Sequence, residues 1–428
     1  MEKTHHMQNE IVYQIYVRTF SPEGTLARAT ALLDHVAASG ATVAYLAPVV
    51  EMDEDTNPEN WSDRQKAFGY GNPKNAYRMK DYFHVDPEYG TDADLHTFIA
   101  RAHELGLKVM MDLVYLHCGP KAPMLYAHRD FCEWDAGGRP KNAAWHFPKL
   151  NYASAALREY LWGNMVYFVK DLHVDGFRCD VGDQIPLDFW QEGVRRVRAI
   201  HPNVMMLDEG RPDNYLDAFD TNYGWDWSWM ARPIVKGEKT AAEIRAQLQN
   251  DVQGMAGRIT RFSDSHDYAS DDGDARLEKQ AVLPAATDAV MMLNFLLPGV
   301  PFLYNGQEFA DAHNCNMFTN RFFHPGNCVD WSMLQTARGK QRFALVQALS
   351  ALKKSHAALH SDAGCDFPAD GNTDALLTFV RASGSDRLRV TVNLGKTDAT
   401  VPPAGDVLLQ NACCGATLAP FGWMICRG

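Results

Sequence analysis

Short apolar runs alternate with longer helical patterns along most of the chain. The runs have the length and the β-branched content of strands, whereas the segments between them repeat apolar residues at helical spacing. Eight strands are predicted in this way, at residues 11–17, 42–47, 107–114, 176–181, 203–207, 218–222, 258–262 and 300–304. The alternation predicts an α/β fold, a (β/α)₈ TIM barrel in which each strand is followed by a helix or a helical loop.

The predicted helices and the remaining segments complete this division of the chain. Helices are expected at residues 26–38, 92–105, 154–172, 187–200, 241–252, 280–297 and 338–356. Residues 115–152 form an irregular insertion after the third strand, so the barrel is predicted to comprise 1–114 and 153–360. From residue 361 the pattern changes to short strands at 376–381, 388–394 and 407–410, which predicts a C-terminal antiparallel β-domain, a β-sandwich, over 361–428.

Composition narrows the classes of function. A formal net charge of -12 argues against nucleic acid or an acidic membrane as partner, since both would be repelled. The nine cysteines include no CxxC pair, so neither a disulfide framework nor a zinc site is indicated. Because the start of the chain has no apolar signal core and no run approaches the length of a membrane span, we expect a soluble, cytoplasmic protein.

Acidic residues and histidines follow several of the predicted strands. In a barrel of this type the active site lies at the C-terminal ends of the strands, so these side chains are expected to converge on one rim. They are Asp112 and His117 after strand three, Asp180 at the end of strand four, Glu209 at the end of strand five, and His266 and Asp267 after strand seven.

The pair Arg178 and Asp180 is two residues apart, so both side chains share one face of a strand. A guanidinium beside a carboxylate keeps it ionised, as a nucleophile requires, although the same spacing also occurs in plain ion pairs. Glu209 follows an apolar strand, and partial burial there would raise its pKa toward that of a general acid. Negative potential from Asp267 would act in the same direction. Such paired carboxylates suit glycoside hydrolysis.

These residues resemble the short motifs of the α-amylase family of glycoside hydrolases (family 13). The matching segments occur in the family's order, at residues 176–180, 207–210, 262–267 and 299–308. Residues 112–119 and 147–151 are more similar to the neopullulanase and cyclomaltodextrinase branch than to other α-amylases. The N-terminal module of that branch is expected to be absent, since the first strand begins near Ile11.

The resemblance implies a role for each acid. Asp180 would be the nucleophile, Glu209 the acid/base, and Asp267 the third acid, which binds ring hydroxyls of a distorted sugar. Asp112 would orient its neighbours or contact the sugar, with simple packing as the alternative.

The resemblance also implies sugar-binding residues. His117 and His266 would hydrogen-bond the sugar before the cleaved bond, unless they are structural histidines. Tyr70 resembles the tyrosine that stacks on that ring, although Phe68 stands where the family has a histidine.

Two departures from the family pattern bear on ligands. Leu116 stands where α-amylases have an asparagine that helps to hold calcium, and a leucine cannot coordinate the ion. We therefore expect no metal there and no cofactor. After Asp180, residues 181–183 replace the Lys-His pair with which α-amylases grip the leaving glucan.

The function expected from the sequence is a retaining glycosidase that cleaves α-glucosidic bonds in malto-oligosaccharides or related α-glucans. A transglycosidase or sugar isomerase with the same acids is an alternative, as is a non-catalytic amylase-like module. The expected partner is an oligosaccharide. Linkage, substrate length and oligomeric state stay open, because they depend on loops such as 115–152 and 313–330.

Overall fold

The computed structural model describes residues 5–253, 256–270, 276–401 and 405–428. Within them, eight parallel strands close a barrel in which each strand pairs with its neighbours in the chain and the first pairs with the eighth. The strands are β1 (Val12–Ile15), β2 (Val43–Leu46), β3 (Lys108–Leu113), β4 (Gly176–Cys179), β5 (Met205–Asp208), β6 (Thr221–Tyr223), β7 (Ile259–Arg261) and β8 (Val300–Tyr304). The predicted fold class is confirmed.

Helices surround the barrel and extend its loops. They are α1 (Val17–Phe20), α2 (Leu26–Ala31), α3 (Leu33–Ala38), α4 (Asp63–Phe68), α5 (Asp92–Glu104), α6 (Pro123–Ala127), α7 (Ala155–Lys170), α8 (Leu187–Arg198), α9 (Trp225–Val235), α10 (Ala241–Gln253), α11 (His266–Ser270), α12 (Leu277–Gln280), α13 (Pro284–Leu296) and α14 (Ala337–Ser355). The single helix predicted over 26–38 is wrong in one respect. It is interrupted at Leu32, whose ψ of -1° departs from the helical value.

Side chains inside the barrel are arranged in layers, because alternate residues of a strand point to the same side. The lower layer is apolar and includes Val12, Val43, Met110, Met205 and Val300. Two residues further along, the next layer is largely polar and buried and includes Gln14, Tyr45, Asp112 and Arg178. One more step along β4 and β5 leads to Asp180 and Glu209 at the rim.

The C-terminal strands form one antiparallel sheet. They are β9 (Gly364–Asp366), β10 (Leu376–Ser383), β11 (Asp386–Asn393), β12 (Ala399–Thr400), β13 (Val407–Cys414) and β14 (Thr417–Arg427). The described strands do not separate into the two sheets of the predicted sandwich, because both β12 and β13 pair with the long strand β14. The domain boundaries at 115–152 and 361–428 stay predictions.

Two sequence-based expectations concern the environment of the protein. All nine cysteines have free thiols. Among the described residues, every helix is too short or too polar to traverse a lipid bilayer. The expected cytoplasmic location stays a prediction.

Close backbone packing between β6 and β7 gives a test of the fold. A Cβ atom at Gly224 would lie 2.2 Å from the carbonyl oxygen of Thr260, although the φ of -84° at Gly224 suits any residue. We expect Gly224→Ala to lower the free energy of unfolding by about 1–3 kcal/mol through overpacking. Thermal or urea denaturation measures this loss.

Gly163→Ala is the matched control for that variant. Gly163 lies inside α7 with nothing within 4 Å of its would-be Cβ. Alanine is the better helix former by about 0.8–1.0 kcal/mol, so this variant should be as stable as the wild type or more so. Equal stability of the two variants would contradict the packing argument.

Candidate active site

A cleft of about 330 Å³ opens among the loops that follow the barrel strands. It is lined by all three predicted acids and by both predicted histidines, namely Asp180, Glu209, Asp267, His117 and His266. Its volume is in the range of small-molecule binding sites. Residues that are as many as 150 positions apart in the chain thus meet at one rim, as the strand order requires.

Arg178 joins the acids of this site. Its Nη1 donates to Asp180 Oδ1 at 2.9 Å and to both oxygens of Asp112 at 2.9 and 3.0 Å. Its Nη2 lies 2.5 Å from Glu209 Oε2. The guanidinium is fully buried, so these carboxylates are its charge partners in a region of low dielectric constant. Asp180 and Glu209 therefore lie on adjacent nitrogens of one group.

Asp180 and Glu209 titrate as an interacting pair with unequal tendencies to ionise. Burial raises the pKa of Asp180 to about 6, although the charge of Arg178 opposes the shift. Burial also raises the pKa of Glu209 well above its usual value, and the negative charges of Asp180 and Asp267 add to this effect. Near neutral pH, Asp180 is the group that ionises and Glu209 is the group that keeps its proton.

The turn after Asp180 holds Glu209 in position. Val181 has φ 39° and ψ 44°, a left-handed conformation that a β-branched residue rarely adopts. In this conformation its backbone N–H donates to Glu209 Oε2 at 3.1 Å. The strained residue thus links the end of β4 to the carboxyl group that follows β5.

Asp267 is held by a cation on its outer side. Arg64 Nη1 donates to Asp267 Oδ1 and Nη2 donates to the Asp267 carbonyl, each at 2.9 Å. Burial alone would raise the pKa of Asp267, but its neighbours His266 and Arg64 lower it below the usual value. Asp267 is therefore ionised at neutral pH.

His266 is fixed on three sides. Its ring is stacked between those of Tyr16 and Tyr77, with centroids 5.6 and 5.2 Å away. Gln14 Nε2 lies 2.8 Å from its Nδ1, and with Gln14 as the donor the ring proton resides on Nε2, which lies 3.4 Å from Asp267. Burial lowers the pKa of His266, so the ring is neutral.

His117 lines the cleft, and one of its ring nitrogens is engaged by the backbone. Its Nε2 lies 2.8 Å from the carbonyl oxygen of Tyr77, which can only accept, so Nε2 carries the proton. Burial lowers the pKa of His117 to about 4. The other ring nitrogen, Nδ1, is buried and has no hydrogen-bond partner among the described residues.

Asp112 lies beneath the cleft and does not line it. Besides Arg178, it accepts hydrogen bonds from the hydroxyl groups of Tyr45 at 2.5 Å and Tyr77 at 3.0 Å. All of these side chains are buried. Of the roles that the sequence left open for Asp112, the contacts match the one in which it orients its neighbours.

Tyr70 is not brought to the cleft, which corrects the sequence-based expectation. Its ring packs between Phe68 and His324, outside the cleft lining. The tyrosine that lines the cleft is Tyr77, seven residues later in the same loop. The Gly-Tyr dipeptide drew attention to Tyr70, but the packing of the loop decides which ring faces the acids.

Several other residues of the site were not predicted, namely Gln14, which contacts His266, and the lining residues Arg64, Trp145 and Phe318. Gln14 could have been found from its strand, because a polar side chain at an inward position of β1 needs a partner. Arg64, Trp145 and Phe318 lie in loops whose folding the sequence pattern does not predict. Trp145 has φ 57° and its ring lies 5.4 Å from that of His117.

The expected absence of calcium rests on Leu116. This apolar side chain is buried, with 2% of its surface exposed. No group of three or more potential metal ligands occurs in the part of the chain that the structure describes. The expectation of no metal and no cofactor stays a prediction.

Comparison with known proteins identifies relatives of this chain. A family model described as the catalytic domain of α-amylases matches residues 7–135 and 141–345. A cyclomaltodextrinase from a Bacillus species is 24% identical over 96% of this chain and 77% of its own length. The α-amylase MalA of Haloarcula japonica is 27% identical over 93% of this chain, which spans only 57% of that relative.

One solved structure has the same fold over nearly the whole chain. The crystal structure of an α-amylase from Lactobacillus plantarum superposes with a TM-score of 0.80 at 25% identity, covering 99% of this chain and 100% of that one.

The support role of Asp112 can be tested by stability. We expect Asp112→Ala to lower the free energy of unfolding by about 3–5 kcal/mol, because it removes a partner from the buried charge of Arg178 and from two buried tyrosine hydroxyls. Asp112→Asn keeps an acceptor oxygen and should lose clearly less. Chemical denaturation of both variants measures the difference, and a loss below about 1 kcal/mol for Asp112→Ala would contradict this role.

Proposed function

The chain belongs to the α-amylase family of glycosidases, and from this premise we propose that it is a retaining glycoside hydrolase acting on malto-oligosaccharides or related α-glucans. The observation that supports the proposal most strongly is the contact of one buried guanidinium, that of Arg178, with both Asp180 and Glu209. Retaining glycosidases need two carboxyl groups about 5–5.5 Å apart, and inverting enzymes need about 6.5–9.5 Å. Anchoring on adjacent nitrogens favours the shorter separation.

The proposed reaction has two steps. The ionised Asp180 attacks the anomeric carbon, the glycosidic bond breaks, and the leaving oxygen takes the proton of Glu209. A covalent glycosyl-enzyme results. Glu209, now ionised, takes a proton from water while the water oxygen attacks the anomeric carbon and releases Asp180. Two inversions at this carbon give net retention.

The surrounding residues are proposed to hold the sugar and its developing charge. Asp267, kept ionised by the guanidinium of Arg64, accepts hydrogen bonds from ring hydroxyls and stabilises positive charge at the reacting ring. His117 contacts the sugar from the wall of the cleft that it lines. Tyr77 provides the flat face for the sugar, in place of Tyr70.

The proposed substrate class is supported by the similarity to known proteins and by the sequence motifs. The relatives of this chain include a cyclomaltodextrinase, in line with the motif resemblance at residues 112–119. An α-glucan oligosaccharide is therefore the proposed partner.

Replacement of the nucleophile tests the mechanism. We expect Asp180→Asn to lower kcat by about 10⁴-fold or more on a substrate that the wild type cleaves, because an amide cannot form the glycosyl-enzyme. Asp188→Asn, on the exposed start of α8, is the matched control and should keep wild-type activity. Proton NMR of the first product should show the α-anomer. Wild-type activity in Asp180→Asn or an initial β-anomer would overturn the proposal.

Substrate and reaction type are separated by a panel of maltotriose, isomaltose, pullulan and cyclodextrin. Cleavage to shorter sugars supports hydrolysis and identifies the linkage. Products longer than maltotriose would instead indicate transglycosylation, and products of unchanged mass would indicate isomerisation.

The pH profile tests the two pKa shifts. Because burial raises the pKa of Asp180 to about 6, kcat/KM should fall as the pH drops through this value and the nucleophile takes up a proton. It should also fall at alkaline pH, where Glu209 loses the proton that the leaving group needs. Circular dichroism across the same range excludes unfolding as the cause. An acid limb at the ordinary carboxyl value, near pH 4, would contradict the assignment.

A further inference from the structure

Arg64 reaches the cleft from a short helix that is well anchored. Ser62 Oγ caps α4 by accepting from Gln65 N, and the Gln65 side chain donates to the carbonyl of Asn72 at 2.9 Å. Phe68 at the end of the helix stacks on Phe318, with centroids 5.8 Å apart. The position of Arg64 is thus set by packing on both sides of the helix.

The Arg64 side chain spans from the loop after β2 to the loop after β7. It binds both the carboxylate and the carbonyl of Asp267, and its guanidinium carbon lies 5.5 Å from the ring centroid of Phe318. These hydrogen bonds and the ring contact hold a side chain that is 42% exposed. Such a long side chain at the surface of a cleft would otherwise sample many rotamers.

The insertion joins the same helix at two points. Asn142 donates to Asn60 at 2.9 Å, just before α4, and His146 Nε2 lies 3.0 Å from Asp63 Oδ1. Asp63, Arg64, His146 and Phe318 therefore form a continuous wall contributed by three loops. We call these four residues the α4 wall.

The α4 wall has a defined place relative to the proposed chemistry. The leaving group must lie beside Glu209, which is tied to Val181 and Arg178. In a pyranose ring the fourth carbon is opposite the first, so a longer glucan would continue from O4 on the side away from Glu209. Arg64 binds Asp267, the acid proposed to bind the ring hydroxyls between the first and the fourth carbon.

We infer that the α4 wall closes the cleft behind the reacting sugar, so that the site accepts only the non-reducing terminal residue of an α-glucan. Arg64 is the specificity-determining residue, because its double contact with Asp267 closes the gap between α4 and the loop after β7. The inference rests on the proposed function and deepens it. The protein then removes single residues from chain ends and does not cut within the chain.

Two matched substrates test this. One is 4-nitrophenyl α-maltoheptaoside, and the other carries an ethylidene group across O4 and O6 of its non-reducing terminal glucose. Products are separated by chromatography and detected by nitrophenyl absorbance. The wild type should shorten the free substrate one residue at a time. It should cleave the blocked substrate at a rate that is lower by a factor of about 10 or more. Equal rates on both substrates would overturn the inference.

Arg64→Ala should open the α4 wall. The ratio of the cleavage rate of the blocked substrate to that of the free substrate should then rise by about 10-fold or more. Since the ratio is taken within one variant, a general loss of activity cancels. Arg101→Ala is the matched control, because Arg101 is also held by carboxylate contacts but lies on α5 away from the cleft. An unchanged ratio in Arg64→Ala would overturn the role of this residue.

Binding separates failure of the inference from failure of the proposed function. In the Asp180→Asn background, calorimetry with maltoheptaose and its ethylidene derivative should show about 10-fold tighter binding of the free sugar, and Arg64→Ala should abolish the difference. If the wild type hydrolyses neither compound, the hydrolase proposal falls while binding still decides on Arg64. Binding of neither sugar by the Asp180→Asn protein would overturn both.

Discussion

One buried positive charge organises this molecule. The guanidinium of Arg178 has no exposed surface and contacts Asp112, Asp180 and Glu209. A single cation in a medium of low dielectric constant cannot stabilise three ionised carboxylates, so the arrangement favours a state that retains a proton. Burial raises the pKa of Glu209 well above its usual value, and the charges of Asp180 and Asp267 raise it further. A protonated acid and an ionised nucleophile thus arise from two like groups around one arginine.

The register of the barrel strands places Arg178 beside its carboxylate partners. Asp112 and Arg178 are paired across β3 and β4, and both point into the barrel. A slip of one residue in β4 would turn Arg178 and Asp180 toward the surrounding helices together. The apolar layer below them, which includes Met110 and Met205, fixes that register by filling the barrel. Packing at the bottom of the barrel and electrostatics at its top are therefore parts of one constraint.

Much of this was accessible from the sequence. Apolar runs locate all eight barrel strands, and the rule that parallel strands end on one face predicts that Asp180, Glu209 and Asp267 lie together. Local patterns were less informative where long-range contacts decide the outcome. Arg64 and Asp267 are 203 residues apart and meet only because two loops pack together. The Gly-Tyr dipeptide favours Tyr70, although loop packing brings Tyr77 to the cleft instead. The pairing of β12 and β13 with one strand leaves no signal in hydropathy.

The left-handed conformation of Val181 has a consequence for protein engineering. A backbone conformation that valine adopts only under strain is where a glycine is expected to improve thermal stability, and selection for stability alone would favour that change. Yet the strained turn aims a backbone N–H at Glu209. A glycine there would let the turn relax, and the backbone N–H of residue 181 would no longer be held toward Glu209. Heat resistance and catalytic alignment are thus competing demands on a single residue.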